Sequence, residues 1–201
     1  MMAYPDLCAK LRKALARYAR VAFGKDLDAI IQARGHELAL IGIDSKNKRY
    51  LDICGMNPSD FKIIESKGFF DNDAGFRVSA HKLLGLSKPT DVFLLNADYF
   101  KVDEMRAVPL IVHELAHFFD QIAEEPTIEA NDDENAEAIL KSLRPEVLVR
   151  EHTKRWALHL AHAARVLQVK NLTPHSTIGK FLDAAIPSYD RDGPVRARKG
   201  W

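Results

Sequence analysis

"PLIVHELAHFFDQ", residues 109–121, holds His113, Glu114 and His117 in the order H-E-x-x-H, with Leu110, Ile111 and Val112 before them and Phe118 and Phe119 after. At ~100° per residue, histidines four apart on a helix stand about 40° from one another and one turn along the axis. Both imidazoles then reach a single tetrahedral ion from one face. Glu114 falls between them in angle but too far round to join the same ion, a position suited to taking a proton from a metal-activated water. The spacing predicts a helix starting between Asp103, a good cap, and Pro109, because proline is tolerated only in a first turn. His36-Glu37 is followed by Leu40 where the motif needs histidine, so that pair belongs to a strand instead.

Zinc hydrolases commonly use three protein ligands, so a third must come from elsewhere in the chain. Glu137 follows His117 at the separation found in thermolysin-like enzymes. On a helix over about 128–143, however, Ile128, Ala136, Ile139, Leu140 and Leu143 define the apolar face, and Glu137 projects roughly 120° from its centre. His152 is the other candidate. A helix from Pro145 to about Gln168 buries Leu148, Val149, Trp156, Leu160, Val166 and Leu167, and His152 lies roughly 50° from the centre of that face. Trp156, one turn on, would pack beneath it. Burial favours His152 and counting favours Glu137.

Three further residues have two readings each. His159, near the edge of the buried face, is either an oxyanion donor or an ordinary satisfied histidine. His162 falls on the polar side of the same helix and reads as a surface or satisfied histidine. Asp120, three residues after His117, either orients a ligand through a hydrogen bond or is a plain surface acid.

"VHELAHFFD" followed by "REHTKRWALHLAHAA" resembles the SprT-like zincin metallopeptidases, in which a later histidine four residues before an aromatic completes the site. His152 and Trp156 match that spacing. The resemblance implies His113, His117 and His152 as ligands of Zn²⁺ and Glu114 as general base, in a peptidase acting on a peptide or protein. It covers roughly residues 91–162. Thr153-Lys154 stand where the family has Gly-Pro, and the segment between His117 and His152 is longer than is typical. Relatives that act near DNA imply a second possibility, with nucleic acid held by the basic first helix and tail. A zincin fold that binds or regulates without turnover is a third.

Outside the motif, the 201 residues suffice for one domain with a sizeable core, and 47% hydrophobic with net charge +1 is ordinary for a globular chain. Cys8 and Cys54 lie far apart in no metal-binding spacing and read as reduced thiols. No leader-like or membrane-length apolar run is found, so a cytoplasmic location is expected. Asp6 and Gly24 bracket a first helix, and Asn57-Pro58 with Gly68 bracket a short one. HELALIGID (36–44), KRYLDIC (48–54) and Val92 to Leu95 read as strands, with a turn at 45–47. Asp71 to Gly75 is a turn whose likeness to a calcium loop fails at Lys82, where a carboxylate is needed. Thr177 to Ile186 reads as a short helix.

The expected architecture is a compact α+β zincin-like domain over 1–186, with the catalytic part at about 91–168 and an irregular basic tail at 187–201. A small sheet from 36–54 and 91–96 would pack on the motif helix and the 145–168 helix, with 91–96 as the candidate edge for an extended substrate.

Overall fold

The computed structural model describes residues 6–71, 74–99, 107–142 and 152–169. The expected cap at Asp103, the start of the 145–168 helix, the 177–186 helix and the 187–201 tail lie outside these. The fold is α+β, and its contacts gather into two units: residues 1–20 with 25–107, and residues 21–24 with the chain from Val108 onward.

The first unit holds most of α1 (Leu7–Phe23), which buries Leu7, Leu11, Leu15 and Tyr18 at helical spacing, and Gly24 ends the helix with φ 66°. The short helix α2 (Leu27–Ala33) was not expected from the apolar pattern. Asp26 caps it through Ala29 N–H at 3.1 Å, and Gly35 closes it in the left-handed region. The strands β1 (Glu37–Asp44) and β2 (Arg49–Cys54) pair antiparallel across a turn in which Asp44 accepts the Asn47 N–H (3.0 Å) and amide (2.7 Å). Then α3 (Pro58–Lys67) follows, with Asn57 accepting from Asp60 N–H at 2.8 Å, proline in its first turn and Gly68 left-handed. The termini of α3 are where the cap residues place them.

The sheet is completed by β3 (Ala74–Arg77), the short helix α4 (Ala80–Leu84) and β4 (Thr90–Asn96), in the order β2-β1-β4-β3. Here the expectation for 91–96 fails: β4 runs parallel to β1 on one side and antiparallel to β3 on the other, so it is an interior strand. Its sequence TDVFLLN is buried at every position, as is β1 after Glu37, the continuous apolar run of strands covered on both faces. The strand that displaces it from the edge, β3, is only four residues long and carries one large apolar side chain, Phe76, set edge-on to its register partner Phe93 at 5.3 Å. That is too little periodicity to find from sequence.

In the second unit, α5 (Val108–Gln121) carries the motif, starts at Val108 and takes Pro109 into its first turn without a kink being needed. Both α5 and α6 (Asp132–Ser142) pack against α7 (Lys154–Val169). Asp132, Asp133 and Glu134 fill the first turn of α6, where the helix dipole favours them. Among the described residues no helix is long and apolar enough to cross a membrane.

Candidate metal centre

The helix α5 is buried nearly all round, which marks a core helix, yet it carries His113, Glu114, His117 and Asp120 at 8% exposure or less. Buried polar groups are costly unless partnered, so four of them on one core helix need an account. Two of the four, His113 and His117, converge on one place.

His113 and His117 meet edge to face, Nε2 to Nε2, at 3.1 Å. Zinc–nitrogen bonds of about 2.0–2.1 Å at a tetrahedral angle hold two nitrogens about 3.3 Å apart. The pair is therefore already near the spacing of adjacent ligands. His152 joins them: its ring centroid is 4.8 Å from that of His117 and 5.6 Å from that of His113. One nitrogen from each of the three buried rings lies within 4.8 Å of the others, close enough to bind a metal ion.

The route by which His152 arrives differs from the expectation. The sequence reading puts His152 within a helix running from Pro145 to about Gln168, but α7 begins at Lys154. Thr153 caps that start, its hydroxyl accepting the Trp156 N–H at 3.0 Å. His152 thus stands in front of the helix, and helical phase does not aim it. Trp156, fully buried, touches all three rings: stacked on His117 at 5.2 Å and 23°, edge-on to His113 at 5.3 Å and to His152 at 4.2 Å. Glu137, the other candidate ligand, is on the exposed side of α6, 59% accessible, beside Lys141 at 3.5 Å.

Compared with known proteins, the chain matches no family model, no curated protein and no solved structure. The site is read from its own chemistry.

The remaining buried polar residues tie the elements of this unit together. Asp120 is not a surface acid: it is 7% exposed and accepts a hydrogen bond from Arg155 Nε at 2.9 Å, joining α5 to α7. His159 is buried between Phe23 and Phe119, and its Nε2–H donates to the Glu124 carbonyl at 3.0 Å, just past the end of α5. That makes it a satisfied histidine at a helix C-terminus. His162, expected on a polar side, is buried facing α6, where Arg165 Nε donates to Asp132 Oδ1 at 3.1 Å and Arg165 Nη1 lies 2.9 Å from Glu129. Arg155 and Arg165 went unread in the sequence because each pairs with an acid more than thirty residues away.

Proposed function

We propose that the protein is a zinc-dependent peptidase with a SprT-like zincin site, in which His113, His117 and His152 hold Zn²⁺ and Glu114 is the general base. The observation that carries this reading is the convergence of three buried imidazoles with a glutamate next to the first of them on the same core helix. The donor set fits: three neutral nitrogens suit zinc and leave a fourth position for the reaction. The ion, when bound, supplies a Lewis acid that polarises a carbonyl and makes water nucleophilic near neutral pH.

The chain does the rest. The His113–His117 pair already has the spacing of adjacent ligands, and bringing the His152 nitrogen from within 4.8 Å to about 3.3 Å of them asks for a small shift. Glu114 takes the proton of the attacking water and hands it to the leaving amine, which needs a carboxylate sheltered from bulk water, and at 8% exposure it is. Trp156 walls the imidazoles from solvent and limits their rotation. The substrate is an extended peptide or protein segment.

Metal analysis with a peptide-library digest tests this. Protein from zinc-replete medium should hold one zinc per chain, and Glu114→Gln should keep the metal and lose cleavage by at least about a hundredfold. His152→Ala should weaken zinc binding by more than about a hundredfold, while Glu137→Gln leaves it unchanged. Stoichiometric zinc with no cleavage by wild type on any substrate offered would instead favour a zincin-like binding protein, and zinc held equally by His113→Ala would end the proposal.

A further inference from the structure

Two cysteines more than forty residues apart in sequence lie on one face of the sheet. Cys8, in the first turn of α1, points its Sγ at the Leu40 carbonyl at 3.5 Å. In the β1–β2 pairing, the residue opposite Leu40 is Cys54. A second contact fixes the same approach: the Cys8 backbone N–H donates to Asp52 Oδ2 at 2.9 Å, and Asp52 is two residues from Cys54, on the same side of β2. The helix can come this close because Gly42, opposite Asp52, has no side chain, and a Cβ there would run into Leu7. Both thiols are free, Cys8 buried and Cys54 half-buried on the edge strand.

We propose that Cys8 and Cys54 are a thiol pair that a small-molecule disulfide such as oxidised glutathione converts to an intramolecular disulfide, tethering the start of α1 to β2. The more accessible Cys54 reacts first. Its thiol loses a proton to solvent and the thiolate attacks one sulfur of the external disulfide, expelling one external thiolate. Cys8 then loses its proton and attacks the Cys54 sulfur of the mixed disulfide, expelling the second. Two protein thiols are oxidised and one external disulfide is reduced to two thiols. Burial, aided by the Cys54 thiol and Asp52, pushes the Cys8 thiol well above the ordinary range, so the second step is the slower one.

The experiment is incubation of the full chain with oxidised glutathione, followed by non-reducing intact mass and peptide mapping. Wild type should lose two hydrogens and give a linked pair of peptides containing Cys8 and Cys54, passing through a glutathione adduct on Cys54. Cys8→Ser should stop at that adduct, and Cys54→Ser should stay unmodified at Cys8 over the same time. Because the bond closes a long loop, the oxidised protein should melt at least about 5 °C higher than the reduced one, and dithiothreitol should reverse the shift. Wild type that stops at glutathione adducts, or that pairs only after unfolding, overturns the proposal.

Discussion

The Trp156 indole lies over the His117 imidazole with ring centres 5.2 Å apart and planes 23° from parallel. The same indole meets the other two imidazoles edge-on, so one side chain from α7 sets the orientation of histidines from two parts of the chain. Trp156→Ala should therefore cost about 3–5 kcal/mol of stability and weaken zinc binding together. Trp156→Phe, which keeps an aromatic wall, should retain most of both. Chemical denaturation and zinc competition with a chromophoric chelator read the two effects, and zinc affinity unchanged in Trp156→Ala would remove the indole from its positioning role.

Asp120 and Arg155 join the helix bearing the H-E-x-x-H motif to the helix that follows His152. Asp120 is buried while the Arg155 side chain is 39% exposed, so solvent screens part of the attraction. A double-mutant cycle of Asp120→Asn and Arg155→Met should give a coupling of about 1–2 kcal/mol. A coupling near zero would mean the pair is incidental.

The end of α5 carries a strained residue. Ala123 sits at φ 60° and its N–H returns to the Asp120 carbonyl at 3.1 Å, while Glu124 N–H reaches the Phe119 carbonyl at 2.9 Å. This is the double hydrogen bond of a helix stop that glycine usually makes. Ala123→Gly should stabilise the protein by about 0.5–1 kcal/mol, since the left-handed region penalises a Cβ. A lower thermal midpoint for the glycine variant would contradict this.

His162 supplies a pH dependence. Burial, followed by the charge of Arg165, holds its imidazole below the ordinary value of 6.5, with Asp132 and Glu129 pulling the other way. When the folded value is depressed, the unfolded chain takes up the proton first as pH falls. Stability is then complete above about pH 6.5 and declines as pH falls through that value towards the folded one. Urea unfolding of wild type and His162→Gln across this range should show a shallower decline in the variant. Identical slopes would remove His162 as the cause.

The local features were legible in the sequence. The four-residue spacing of His113 and His117 dictates their common face on any helix, and Asn57-Pro58 and Gly68 mark the ends of α3 by backbone preference alone. The apolar runs of β1 and β4 likewise declare buried strands. Short elements such as α2 and β3 were not legible, because seven and four residues carry too little periodicity to stand out.

What the tertiary structure decided was which distant groups meet. The place of β4 inside the sheet depends on β3 pairing with it, a contact that β4's own sequence does not encode. His152 reaches the histidine pair from in front of α7, so its position follows from how that helix packs on α5 rather than from helical phase. Asp120 finds Arg155, and Cys8 finds the strand bearing Cys54, for the same reason. Hydrogen-bond geometry within one turn is a property of neighbours in the chain. Meetings across thirty residues or more exist only once apolar faces have been buried against each other.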